Sequence, residues 1–106
     1  MVGSIYYIEM PYSDFRQFKG RPVLVFRKID KDNFLILPLT TNLQREGMKI
    51  TNSDIVRGSL RKESVVIVPK ITAIDHSLIL DEHFIASLSD ESFQILETMI
   101  CQKLGC

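Results

Sequence analysis

The hydrophobic pattern of this chain changes period once, at Ser89, and that single change limits the folds open to it. Ahead of Ser89 the apolar residues come in short β-branched and aromatic runs punctuated by Pro, Gly and Asp/Asn, the signature of strands and turns. "GSIYYIEM" (3 to 10) is the first strand, stopped by Pro11, and "RPVLVFRKI" (21 to 29) is the second, with Pro22 admissible only at its start or on an edge. "PYSDFRQFKG" between them reads as a loop longer than a hairpin turn. "DKDN" (30 to 33) is a turn that pairs the second strand with "FLILPLTT" (34 to 41) as a hairpin. The pattern loosens from Asn42 to Ser64, where a short strand near "MKITN" and a turn at Gly58 are expected. "VVIVPKITAI" (65 to 74) is strand-like with a bend or bulge at Pro69, and "EHFIASL" (82 to 88) is a last short strand after a turn at "IDHS".

Behind Ser89 the spacing becomes helical. Ser89 is placed as an N-cap, Asp90 and Glu91 face the dipole in the first turn, and Leu88 is able to staple onto Phe93. Lys103 and then Gly105 make a fitting stop. Phe93, Leu96, Ile100 and Leu104 fall on one face. Five or more short strands and one C-terminal helix describe a mainly β, α+β fold: a small, strongly bent barrel or sandwich with a helix packed on it.

With 106 residues the chain closes one hydrophobic core, so residues 1 to 106 are expected to be a single domain. Hydrophobic residues at 45% and charged ones at 25% are the balance of a soluble globular protein rather than a disordered segment. The longest apolar runs fall far short of the roughly 18 residues of a membrane span. The N-terminus has no basic-then-apolar secretory pattern, which makes a cytoplasmic location the expectation. Cys101 and Cys106 lie close together with no second pair and no His at ligand spacing, so neither zinc nor a disulfide framework is indicated. Cys101 reads as a small apolar residue in the helix and Cys106 as a frayed end.

The formal net charge is zero, but its distribution is uneven. Residues 1 to 74 hold 12 Lys/Arg against 7 Asp/Glu, whereas residues 75 to 106 hold one Lys against 6 acids. If the first part forms one face, it offers a potential for phosphates that the overall sum hides.

Four stretches carry a resemblance. "GSIYYIEMP", "GRPVLVF", "LPLTTN" and "KESVVIVPKITAID" resemble, in order, the opening strand, the Arg-Pro strand, the Thr/Ser-rich strand end and the penultimate strand of MazF/PemK-type toxins, from about Gly3 to Leu104. The resemblance implies an SH3-like barrel that forms a homodimer. It also implies cleavage of single-stranded RNA at short sequences without a metal or other cofactor, and inhibition by a cognate antitoxin. RNA cleaved by its own 2′-hydroxyl needs that group held in line and charge on the phosphorane oxygens compensated, leaving a 2′,3′-cyclic phosphate and a 5′-hydroxyl. A forked guanidinium suits the second task.

By the resemblance Arg21 matches the catalytic arginine and Thr40 its partner threonine. Pro22 restricts Arg21 to extended backbone. Thr40 is a hydrogen-bonding and orienting group rather than a base. By themselves the two residues read as a strand-end surface residue and a β-propensity choice; the resemblance reverses both readings. Thr41 and Asn42 extend the polar strand end toward RNA, with turn formation an equal account of Asn42.

Two stretches depart from the family pattern. In the first loop, Gln17 is kept among aromatic and basic residues. Phe15 and Phe18 suit unpaired bases and Arg16 and Lys19 suit phosphates, while a Phe folded back onto the barrel is the equal alternative. In "KITAID", Thr72 replaces the Arg of several relatives and Asp75 remains, better read as a turn or capping residue. His76 and His83 are isolated and are assigned no role. The rivals to a nuclease are a non-catalytic SH3-like binding module and a gyrase poison of the CcdB kind. The latter acts through a C-terminal Trp-Gly-Ile, and this chain has no Trp. The basic groove that takes RNA would equally take an extended acidic antitoxin segment, which would order on binding.

Overall fold

The computed structural model describes residues 1–11 and 18–106, with only the backbone of residues 10, 11, 18 and 19. Eight strands run β1 (Ser4–Pro11), β2 (Phe18–Lys28), β3 (Asn33–Thr40), β4 (Met48–Ile50), β5 (Ile55–Gly58), β6 (Ser64–Val66), β7 (Thr72–Asp75) and β8 (Phe84–Leu88). A single helix, α1 (Asp90–Leu104), follows. The strands form one sheet in the order β4-β6-β3-β2-β1-β8-β5, with β7 pairing the other half of β3. The sheet curls strongly into a half-barrel, in keeping with the expected barrel plus C-terminal helix.

The run "PVLVF" does not alternate because both faces of β2 are covered. Leu24 and Phe26 point into the curl, joining Ile5, Leu37, Leu39 and Val66 and meeting Leu96 and Ile100 of α1. Val23 and Val25 point to the other side, where Tyr6, Ile8 and Ile36 are sealed by Ile74 and Ile79. Bulges at Val25/Arg27 and Ile5/Tyr6 break the ladders, as sharp curvature requires.

The hairpin of β2 and β3 forms as expected, closed by Asp30, whose carboxylate accepts from the backbone N–H of Asp32 and Asn33 at 2.9 Å. Pro69 also acts as expected: a 3₁₀ turn at Val68–Lys70 breaks the long strand, so that β6 pairs the end of β3 and β7 its beginning. The helix has Ser89 as N-cap, its hydroxyl accepting from Ser92, and Gly105 as a left-handed C-cap at φ 81°.

Five expectations need correction. Pro11 is itself the last residue of the first strand rather than the residue after it, since the β1–β2 ladder runs to Pro11↔Phe18 and absorbs part of the expected loop. Pro22 lies well inside β2; its missing N–H breaks no β3 bond because that ladder begins at Val23↔Pro38. The stretch around Gly58 contains a strand, β5, held against β8. Leu104 is 64% exposed at the end of α1, so the buried stripe ends at Ile100. Finally, Cys101 and Cys106 are joined as a disulfide: the reversal at Gly105 folds the chain back, with the Cys106 N–H donating to the Cys101 carbonyl at 3.0 Å and the two Cα atoms 5.1 Å apart. Among the described residues no helix is long and apolar enough to cross a membrane.

Candidate nucleic-acid interface

Arg21 belongs to β2 and stands opposite Ile8 of β1. Side chains alternate along a strand, so Arg21 shares a face with Val23 and Val25, outside the curl. On β3 the same face carries Ile36, Pro38 and Thr40. With Val23 opposite Pro38, the register continued by two residues sets Arg21 level with Thr40. Here β3 leaves β2 and pairs with β6 instead, through Leu39↔Val66 and Thr40↔Val65. Pro22 and Pro38 each lack a ladder donor at this parting of the strands, which favours a cleft over a continuous sheet.

That cleft has a volume of about 380 Å³. Ile36, Pro38 and Ile67 give it an apolar floor, and Arg21, Arg45, Lys70 and Thr72 line the rest. Among the described residues no carboxylate lines it. Arg45 arrives from the turn after β3, where its N–H donates to the Asn42 carbonyl at 3.2 Å. Lys70 is delivered by the 3₁₀ turn Val68–Lys70 that contains Pro69, and Thr72 stands opposite Ile36 in the β3–β7 ladder. Three cations around a concave, partly apolar surface give it a positive potential.

Thr40 stands at the strand end beside this wall. Its hydroxyl oxygen accepts from the Asn42 N–H at 3.1 Å, leaving its own proton to donate elsewhere. Asn42 uses its side-chain oxygen on the Gln44 N–H at 3.0 Å, a turn-forming bond. Thr41 faces away from Arg21 and lines a separate groove. Phe15, Arg16 and Gln17 lie outside the described residues, as do the side chains of Phe18 and Lys19.

A profile described as "PemK-like, MazF-like toxin of type II toxin-antitoxin system" matches residues 1–104. The chain belongs to this toxin family. No curated protein matches it. Among solved structures, "Mycobacterium tuberculosis toxin MazF-mt6" is similar with a TM-score of 0.70 at 20% identity, over 96% of each chain. At that identity the likeness is one of fold.

Two positions bear on how this toxin differs from the pattern expected of its family. Thr72 lines the cleft without charge, while Lys70 and Arg45, which the sequence reading did not single out, bring positive charge to the same space. Asp75 is the N-cap of a 3₁₀ turn, accepting from the Ser77 N–H at 2.8 Å, and that bond first, then the Ser77 side chain, holds its carboxyl below the usual range. It pairs with Asn33, at the opposite end of β3 from Thr40 and so about 23 Å along the strand. The capping reading of Asp75 therefore fits its geometry. His76 and His83 sit in 3₁₀ turns and do not line the cleft.

Proposed function

We propose that this toxin cleaves single-stranded RNA in the cleft beside Arg21, without a metal, and is neutralised by an acidic antitoxin that competes for the same surface. Family membership supports the class of activity, and the cation-lined cleft on the face shared by Arg21 and Thr40 is the observation that carries the site. The RNA supplies its own nucleophile. Its 2′-hydroxyl attacks the neighbouring phosphorus, losing its proton to water. The 5′-oxygen leaves and is protonated in turn, giving a 2′,3′-cyclic phosphate and a 5′-hydroxyl.

The guanidinium of Arg21 meets the phosphorane oxygens with two donors, and the Thr40 hydroxyl donates to the same group and keeps it in line. Arg45 and Lys70 hold the flanking phosphates, taking over the charge that relatives carry at the position of Thr72. Phe15, Arg16, Gln17, Phe18, Lys19, Thr41 and Asn42 contact the RNA outside the reacting centre. A homodimer, which the family resemblance brings, would present two such clefts.

The test is to incubate the purified protein with mixed RNA in EDTA beside Arg21→Ala and Thr40→Val. Wild type should cleave, and each variant should lose about 10²–10³ in rate, the cost of one preorganised donor. A protein that binds RNA but leaves it whole is a binding module, and the nuclease reading is then wrong.

A further inference from the structure

The ends of β2 and β3 present alternate residues to opposite faces, and the second face holds a groove that the cleavage chemistry does not use. Arg21 lines the cleft outside the curl; its neighbour Pro22 lines a groove of about 660 Å³ at the mouth of the half-barrel. Thr41, which follows the end of β3, lines the same groove. Tyr7, Pro22, Leu39, Leu60 and Ile85 give this groove an apolar floor. Tyr7 stands directly opposite Pro22 and is 45% exposed, whereas its neighbours Tyr6 and Ile8 are buried at 5% and 1%.

The position of the ring depends on a glycine. A Cβ at Gly20 would overlap the Tyr7 ring carbons and hydroxyl, so any other residue there would push the ring away. Glycine lets one side of the tyrosine rest against the backbone of β2 while the rest of it stays open to solvent. At the rim stand Arg61 and Lys62, both exposed and, among the described residues, in no ion pair. No carboxylate lines the groove among the described residues. An exposed aromatic in an apolar trough with unpaired cations beside it is the arrangement that holds an unpaired nucleobase and its phosphates.

We infer that this groove is a second RNA subsite, in which a base flanking the cleavage point stacks on Tyr7 while Arg61 and Lys62 take the adjoining phosphates. The inference rests on the cleavage reading above and extends it. A strand leaving the Arg21 cleft reaches the groove by passing over the end of β3, beside Thr40 and Thr41. The groove accordingly contributes affinity and base preference rather than chemistry. An acidic peptide is the competing occupant, but it does not need an aromatic plane.

The test measures binding of a fluorescent 2′-O-methyl RNA of random sequence, which cannot cyclise, to the full chain. Tyr7→Leu keeps apolar bulk without the ring and should weaken binding about tenfold, while Tyr7→Phe should bind as wild type does. Arg61→Ala with Lys62→Ala, both at exposed positions, should reduce the salt dependence of log K by about 1.4, the value for two single-strand phosphates. On cleavable RNA, Tyr7→Leu should raise KM and leave kcat near wild type. Equal binding by Tyr7→Leu and wild type overturns the inference, whatever happens to cleavage. So does a Tyr7→Leu protein that loses an acidic antitoxin but keeps RNA, since the groove then belongs to a protein partner. An Arg21→Ala protein that still cleaves would instead remove the catalytic reading and leave the comparison at Tyr7 standing.

Discussion

The two sides of the half-barrel treat their cations differently. Beside α1, Arg27 of β2 is bound to Glu97 and lies 4.7 Å from the centre of the Phe26 ring and 5.8 Å from that of Phe93. Lys103 reaches Glu46 at 2.7 Å. Beside the strand ends, Arg21, Arg45 and Lys70 gather around one cleft with no carboxylate among its described lining. Arg45 and Glu46 show the sorting between consecutive residues: the base enters the cleft, and the acid is drawn off to the helix. Cations tied to carboxylates and rings hold a helix to a sheet. Cations gathered together raise the local positive potential, and that potential suits an anion arriving from outside.

The comparison breaks most visibly if the gathered cations are removed. Arg45→Ala combined with Lys70→Ala should weaken binding of single-stranded RNA about tenfold at physiological salt, and lower the salt slope by about 1.4. Thermal stability should stay within about 0.5 kcal/mol of wild type, as for surface changes that touch no packing. Unchanged RNA affinity in fluorescence titrations would mean that the cleft is not where the phosphates go.

Arg27→Ala is the counterpart on the other side. Its ion pair is between partly exposed groups, so a loss of about 1 kcal/mol in urea unfolding is expected, with RNA affinity unaltered. A large loss of affinity with no loss of stability would reverse the two assignments.

The smallest effect concerns pH. Backbone N–H groups hold the carboxyls of Asp30 and Asp75 below the ordinary range, Asp32 being the chief donor to the first and Ser77 to the second. A depressed pKa in the folded state gives stability that is present above the unfolded value of about 3.9 and is lost as pH falls through the folded values. Thermal midpoints should therefore drop on acidification, and drop less in Asp30→Asn/Asp75→Asn. Equal drops in both proteins would show that these turns do not carry the acid sensitivity.

Much of the frame was legible because its determinants are local. Asp30 closes its turn within three residues, Ser89 and Gly105 cap α1 from either side, and Pro69 bends the chain where it stands. Arg21 and Thr40 could be brought together on paper because one short hairpin joins their strands.

What escaped was decided at a distance. β5 is only four residues long and ends in a glycine, and it is held as a strand by its pairing with β8. Pro11 stays in its strand because the ladder from Ile5↔Leu24 extends that far. The Cys101–Cys106 bond follows from a backbone reversal that spacing alone does not show. Lys70 enters the cleft because β6 and β7 both pair with β3 on either side of it, and Arg45 meets it there from the turn after β3. Tyr7 looked like an ordinary strand residue, and its exposure could be known only once the groove beside Pro22 had formed.

The most direct measurement is the end-group chemistry of RNA treated with this toxin in EDTA. If Arg21 and Thr40 assist attack by the neighbouring 2′-hydroxyl, every cut will leave a 2′,3′-cyclic phosphate and a 5′-hydroxyl, 2′-O-methyl RNA will survive, and Arg21→Ala will make cuts at least about a hundredfold more slowly. Products bearing 5′-phosphates, cleavage of the methylated strand, or undiminished cutting by Arg21→Ala would contradict the account.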